Sequence, residues 1–288
     1  MSVFLLNFQV ENKPSDTNFN ILHAYIMSTP LSVVIITKNE EKNIGRCLES
    51  VLPVADEIVV VDSLSDDNTK NICLHYGARF IEQPFLGYIQ QKNFALSQAT
   101  HAFVLSLDAD EALDSQLVQS ILAIKQQAAP ASAYKMNRLT NFCGRWIRHG
   151  RWYPDQKVRL FNKEQAEWGG ENPHDKIILA NDAQPIHLKG DILHYSYYTI
   201  EEYLNQINKF STIQAEGLYK RGKKASAIKI YLNPVIAFIR AYLFGAGFRD
   251  GYRGLIIAYG IAYTTLLKYA KLKLLNEKST TQQTEQTS

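Results

Sequence analysis

The segment Leu107–Glu111, LDADE, sets the carboxylates Asp108 and Asp110 two residues apart at the end of an apolar run. Residues two apart on an extended chain project to the same side, so the pair offers hard oxygens to Mg2+ or Mn2+. A divalent ion held there would neutralise a diphosphate. The competing reading treats both as surplus loop acids ahead of a helix beginning near Asp114, whose side chain would cap it. Two other apolar runs end in polar residues: Thr37, Lys38, Asn39 and Glu40 follow LSVVII, and Asp62 and Ser63 follow EIVVV. Asp62 at a strand end could equally close an Asx-turn. Neither G-x-G-x-x-G nor G-x-x-x-x-G-K-[ST] occurs, so phosphate is held without a dinucleotide fingerprint or a P-loop.

The scaffold that must position these groups is an alternation of strands and helices. Leu31–Ile36 reads as a buried strand, and Ile44, Cys47, Leu48 and Val51 recur at helical spacing until Pro53. Glu57–Val61 predicts a second strand, 66–76 a helix, Ala78–Glu82 a third strand, Gly87–Ala99 a helix and Ala102–Leu107 a fourth strand. Strands apolar throughout, alternating with helices, predict an α/β fold with a mostly parallel sheet covered on both faces. Ligands of such sheets bind beyond the strands' C-terminal ends, where the polar residues above fall. After about residue 128 the rhythm changes. Short strands are expected near Ala133–Leu139, Lys157–Phe161 and Lys176–Leu179, and from Thr199 a helix with Tyr203, Ile207, Phe210 and Gln214 on one stripe.

The 288 residues, 46% hydrophobic and 20% charged, fit one large domain with an appendage. The cysteines Cys47, Cys73 and Cys143 are odd in number and lack C-x-x-C pairing, as free thiols of a reducing compartment would be. No secretory signal pattern opens the chain, and residues 1–29 are expected to be an extension outside the fold. Net charge is +3, yet Lys220–Leu275 holds eleven basic residues against the single acid Asp250. That asymmetry points to an anionic partner. The same segment contains IYLNPVIAFIRAYLFGAGF, interrupted by Arg240, and the thirteen-residue LIIAYGIAYTTLL, short of the ~20 residues that span a bilayer. Apolar helices beside Lys and Arg favour an anionic membrane surface over nucleic acid. Packing onto the rest of the chain, or onto a second copy in a homo-oligomer, is the alternative. A polar tail, 278–288, is expected to be disordered.

Taken together, SVVIITKNEEKNIGRCLESV, EIVVVDSLSDDNT, QKNFAL and FVLSLDADE, in this order and spacing, resemble the inverting family 2 glycosyltransferases of the GT-A fold. The resemblance covers Leu31 to about Leu113. It implies a nucleotide pocket lined by Thr37 and Glu40, a base (uracil) recognised by Asp62, and Lys92 near the pyrophosphate. It further implies Asp108 at the ribose or metal, and Asp110 as direct metal ligand. The usual second motif has adjacent acids, whereas Ser63 follows Asp62 here, leaving Asp62 to recognise the base. For Lys92 the alternative is a solvated helix face.

The segments CGRWIRHGRWYPDQKVRLFNK, WGGENPHDKI and GDILHYSY resemble the lipopolysaccharide core β-1,4-glucosyltransferase group, over most of Tyr134–Tyr198. That likeness implies UDP-glucose as donor and an inner-core heptose of a lipid-linked oligosaccharide as acceptor. It also implies a peripheral enzyme on the cytoplasmic face of the inner membrane. Direct displacement needs a carboxylate base on the acceptor side. The resemblance puts it at Asp175, with Glu171 as the second choice. His194 of LHYSY would complete the metal or pyrophosphate site, unless it is a structural histidine; His174 is a weaker choice. Arg145, Arg148, Arg151 and Arg159, interleaved with Trp146, Trp152 and Tyr153, suit a phosphorylated sugar acceptor, or else a loop packed by its tryptophans. A sugar nucleotidyltransferase would need a glycine-rich basic loop after the first strand. A non-catalytic glycan- or membrane-binding module would be expected to lack Asp62, Asp108, Asp110 and Asp175.

Overall fold

A computed structural model describes residues 28–127, 129–171 and 174–285; most of the expected N-terminal extension lies outside these. The first half follows the alternation: β1 (Leu31–Thr37), α1 (Ile44–Val51), β2 (Glu57–Asp62), α2 (Thr69–His75), β3 (Arg79–Glu82), α3 (Tyr88–Gln98) and β4 (Phe103–Asp108). Alternate residues of β1 face opposite layers. Val33 and Ile35 pack with Ile44, Cys47, Leu48 and Val51 of α1. Val34 packs with Ala95 and Leu96 of α3. A strand buried on both faces reads as a nearly continuous apolar run, which is why LSVVII carries no alternation; its buried Ser32 donates to Glu57 Oε2 at 2.6 Å.

Beyond β4 come β5 (Glu111–Leu113), α4 (Ser115–Lys125), β6 (Ala133–Phe142), β7 (Arg145–Ile147), β8 (Asp155–Asn162), β9 (Ala166–Glu171), β10 (His174–Leu179) and β11 (Ile186–Tyr197). The central sheet runs β3-β2-β1-β4-β8-β6-β11-β5, with β7 beside the end of β6; β9 and β10 form a separate two-stranded flap. The β3 to β4 half is parallel, as expected. The other half is mixed: β8 is antiparallel to both β4 and β6, β11 is parallel to β6, and β5 is antiparallel to β11. The reversal at β8 pairs the C-terminal end of that strand, Leu160–Asn162, with the start of β4, below the acids of LDADE.

The strand β11 is bent between His187 and Asp191, where its register with β6 shifts. The bend brings Asp191 onto the start of α4: Asp191 N donates to Asp114 Oδ2 at 3.0 Å, and Asp114 N to Asp191 O at 3.1 Å. Asp114 also caps α4 through Leu117 N. Gly190 permits this contact at φ 99°, because a Cβ there would lie 2.2 Å from Leu117 N.

Three helices close the chain: α5 (Ile200–Lys220), α6 (Ala227–Ile239), which continues as a π-helical turn over Arg240–Phe244, and α7 (Gly251–Glu285). A capping box between Thr199 and Glu202 starts α5. Its buried stripe is Tyr203, Ile207, Ser211 and Ala215, so Phe210 and Gln214 of the expected stripe are displaced by small residues that let α7 approach. Lys271 of α7 donates to Asn208, Ser211 and Thr212 of α5. Helix α6 leans on α7 and buries no residue fully. Ala227–Phe244 is long and apolar enough to cross a membrane by length and composition. Helix α7 runs to Glu285, through much of the stretch expected to be disordered from Lys278. No Gly or Pro follows Gly260 to stop it, and extending a formed helix is far cheaper than nucleating one.

Gly190→Ala is expected to destabilise the fold by about 3 kcal/mol, since the methyl meets helix backbone and the residue must hold a positive φ. Urea unfolding of the purified variant measures it; a loss below about 0.5 kcal/mol would show that β11 and α4 can separate freely.

Candidate active site

Strand β4 delivers Asp108 to the C-terminal edge of the sheet, and Ala109 N still bonds to Ile36 O of β1 at 3.2 Å. The turn is held from below by Glu111, whose Oε2 accepts from Asp108 N at 3.0 Å. Glu111 is buried, and Arg159 of β8 supplies its counter-charge: Nη2 donates to Glu111 Oε1 at 2.9 Å and to Asp108 Oδ2 at 3.0 Å. Arg138 of β6 stands 3.5 Å from Glu111 and grips Asp155 with Nε and Nη2 at 3.0 and 2.8 Å.

Lys92 reaches the same carboxylate from the other side. Its Nζ lies 3.1 Å from Asp108 Oδ1 and 2.8 Å from Asp175 Oδ2, and 4.3 Å from the ring centroid of Trp168. Lys92 is buried, so the solvated-helix reading does not hold for it. The flap is locked onto α3 by Asn93, which donates to Trp168 O at 2.8 Å and accepts from Trp168 N at 2.9 Å. Trp168 thereby offers its ring to both Lys92 and the Arg159 guanidinium, the latter 5.2 Å from the ring centroid. One ammonium thus joins Asp108 and Asp175, residues 67 positions apart. Burial opposes the Asp108 charge, but Lys92 and Arg159 outweigh it and hold this carboxyl well below the usual carboxylate range. Burial likewise opposes the Arg159 charge, and Glu111 and Asp108 push its pKa up instead.

Asp110 is placed differently. Among the described residues it has no lysine or arginine partner, and its Oδ2 meets His194 Nε2 at 3.0 Å. His194 comes from β11, opposite Glu111 of β5, and Ser196 Oγ lies beside its ring nitrogens. No cluster of three or more His, Cys, Asp or Glu forms a metal cage among the described residues. Asp110 and His194 therefore fit an ion completed by phosphate oxygens, since Mg2+ commonly takes only one or two carboxylates from protein. Asp108, expected at the ribose or metal, is paired with Lys92 and Arg159, while its Oδ1 has no hydrogen-bond partner among the described residues.

On the nucleotide side, Thr37 and Asp62 are opposite one another at the ends of β1 and β2. Thr37 Oγ1 is buried without a hydrogen-bond partner. Asp62 accepts from Ser65 N at 2.7 Å and from Ser65 Oγ, so the local turn offered as its alternative role is formed. Glu40 accepts from Asn43 Nδ2 at 2.8 Å. Glu171 and His174 pair through their backbones in the flap; their side chains lie outside what is described.

The expected arginine cluster separates. Arg159 belongs to the buried network, whereas Arg148 faces Asp191 at 3.9 Å and the Tyr153 ring at 5.5 Å. Tyr153 Oη donates to Asp191 Oδ1 at 3.0 Å. Trp152 packs among Phe142, Tyr197 and Tyr203, and Trp146 meets Tyr195 edge-on. The roles of Arg159, Glu111, Trp168 and Arg138 were not foreseen. An arginine amid the apolar run of VRLF was the available signal, because a cation on a buried strand requires a buried acid.

Residues 32–186 match the glycosyl transferase family 2 model. An uncharacterised glycosyltransferase of Rickettsia typhi is 35% identical over 269 residues, covering 86% of this chain and 88% of the relative. The lipopolysaccharide core biosynthesis glycosyltransferase LpsC of Rhizobium meliloti is 29% identical over 253 residues, covering 86% and 93%. Among solved structures, a mannosyltransferase of Pyrobaculum calidifontis in complex with GDP-Man and Mn2+ aligns with a TM-score of 0.50 at 16% identity, over 85% of this chain and 87% of that one. The sheet and its flanking helices thus have the GT-A architecture, and the chain belongs to glycosyl transferase family 2.

Burial pushes the Glu40 carboxyl up to about 7 from 4.5, with Asp110 adding to the rise and Asn43 opposing it. An acid with a raised folded-state pKa keeps its proton in the fold after the unfolded chain has lost it. Its contribution to stability is therefore complete below about 4.5 and lost as pH rises through about 7. Glu40→Gln is expected to lessen the fall in stability between about pH 5 and pH 8, read by urea unfolding in metal-free buffer. Parallel curves for the two proteins would show that Glu40 titrates normally.

Proposed function

We propose that this glycosyltransferase moves a hexose, glucose from UDP-glucose, with inversion onto an inner-core heptose of lipopolysaccharide or a similar lipid-linked glycan. The observation that carries the reading is the shared Lys92: it sets the flap carboxylate Asp175 beside the edge where Asp108 ends β4. Similarity to LpsC supports a lipopolysaccharide acceptor.

In this reading Thr37, Glu40 and Asp62 line the nucleotide side, and Lys92 and Asp108 face the pyrophosphate and ribose. Asp175 accepts the proton of the acceptor hydroxyl as that oxygen attacks the anomeric carbon opposite the leaving nucleotide, with Glu171 as the second choice. Diphosphate binding offers the Lys92 ammonium a new anionic partner, which frees Asp175 to act as a base. A divalent ion, Mg2+ or Mn2+, held by Asp110 and His194, would stabilise the charge left on the diphosphate. The basic C-terminal helices hold the enzyme against the anionic cytoplasmic face of the inner membrane, where such an acceptor is presented.

Chelation is expected to abolish transfer from UDP-glucose to a truncated lipopolysaccharide acceptor, and Mg2+ or Mn2+ to restore it; full turnover in excess chelator would remove the ion from the reading. Asp175→Asn preserves size but cannot take a proton. UDP affinity should persist in calorimetry while turnover falls by roughly 10²-fold or more. Near-normal turnover in Asp175→Asn with a dead Glu171→Gln would instead make Glu171 the base.

A further inference from the structure

A cavity of about 430 Å3 lies between the loop after β7 and the C-terminal helices, away from the acids of the active site. It is lined by Arg151 of that loop, by Asn233, Ile236, Ala237 and Arg240 around α6, and by Ile261 of α7. We propose that this cavity binds the phosphate headgroup of an anionic membrane lipid. The inference rests on the reading that the enzyme works at a membrane, and adds a defined lipid site to it.

Two guanidinium groups line one cavity, and neither Arg151 nor Arg240 has an acidic or hydrogen-bonding side-chain partner among the described residues. Planar forks of this kind match phosphate oxygens. The remaining walls are largely apolar, so the ligand is amphiphilic rather than a free ion. The surroundings agree: Tyr231, Val235, Phe244 and Tyr259 are well exposed next to this region, Phe244 at 83%. Aromatic rings outside a basic pocket are what a lipid headgroup layer favours.

The loop is built to keep Arg151 there. Gly150 N donates to Gly245 O at 2.8 Å, and the buried Asp250 accepts from His149 N at 2.9 Å and meets His149 Nδ1 at 3.0 Å. Arg151 itself stands at φ 73°, a conformation that costs a non-glycine residue free energy. Gly245 makes room for it, since a Cβ there would lie 3.1 Å from Arg151 Cγ. Arg151 precedes Asp155 by four positions, at most about 14 Å of chain, and Asp155 is gripped by Arg138 of the buried network.

The test is co-sedimentation of the full chain with vesicles of phosphatidylcholine alone and of phosphatidylcholine with about 30% phosphatidylglycerol. Wild type is expected to bind the second and not the first. Arg151→Gln/Arg240→Gln should reduce binding by about 100-fold or more, whereas Lys223→Gln/Lys224→Gln, which removes equal charge from the basic C-terminal segment, should reduce it by about 30-fold or less. Equal losses in the two double variants would mean smeared charge and no site. Equal binding to both vesicles, or displacement by millimolar inorganic phosphate with tight binding of phosphate alone, would equally overturn the proposal. If Arg151→Gln disturbs folding, as circular dichroism would show, Arg240→Gln alone carries the comparison. UDP affinity measured on the same samples reports on the nucleotide reading separately, so either can fail without the other.

Discussion

The arrangement of the site depends on keeping one carboxylate charged between two cations. The Asp108 side chain is 28% exposed at the edge of the sheet, and its partial burial works against the charge. Lys92 and Arg159 outweigh that effect. Each cation is itself buried and requires more than one acid: Lys92 takes Asp175 as well, and Arg159 takes Glu111. Buried ion pairs of this kind add little net stability over an apolar core, but removing one member leaves a stranded charge costing about 3–5 kcal/mol. The network consequently fixes geometry more than it adds stability.

That geometry reaches elements far apart in the chain. Strand β8 runs against its neighbours, and this reversal is what turns Arg159 toward Asp108 and Glu111. The flap of β9 and β10 has little sheet of its own, and is held by Trp168, whose ring meets two cations, and by the paired hydrogen bonds of Asn93. Asp175 therefore takes its position from Lys92 and Trp168, not from a ladder continuous with the central sheet. Helix α3, the flap and β4 behave as one support for the acids.

The alternating first half was legible because β1, β2 and β4 are nearly continuous apolar runs and each helix is bounded by Gly, Pro or polar residues. The strands that went unseen explain themselves. β5 and β7 have three residues each, too few to show a period. β11 carries His187, Lys189, Gly190 and Asp191 in its first half, where the register shifts and the chain turns to α4, so no alternation survives. In the site, spacing singled out Asp108 and Asp110, the family resemblance implied Lys92 and Asp175, and the fold brings Asp108, Lys92 and Asp175 together. It could not show which cation neutralises which acid, because Arg159 and Glu111 meet only after β8 has reversed. Arg159 was grouped with Arg145, Arg148 and Arg151 by proximity in sequence, yet it faces inward while Arg148 faces Tyr153 and Asp191.

The contrast between Asp108 and Asp110 is the part of this chemistry that follows most directly from the buried network. Two residues apart, they would be equivalent metal ligands by spacing alone. Lys92 and Arg159 both fall on Asp108, so its negative charge is already balanced before any ligand arrives. Among the described residues Asp110 is paired with His194 and with no lysine or arginine, which leaves it open to a cation. In the proposed reading, Asp110 and His194 would hold a divalent ion that stabilises the charge on a leaving diphosphate, and Lys92, already paired with Asp108, would face the same phosphates. Asp175, held on the flap by that same Lys92, would be the carboxylate left for the acceptor.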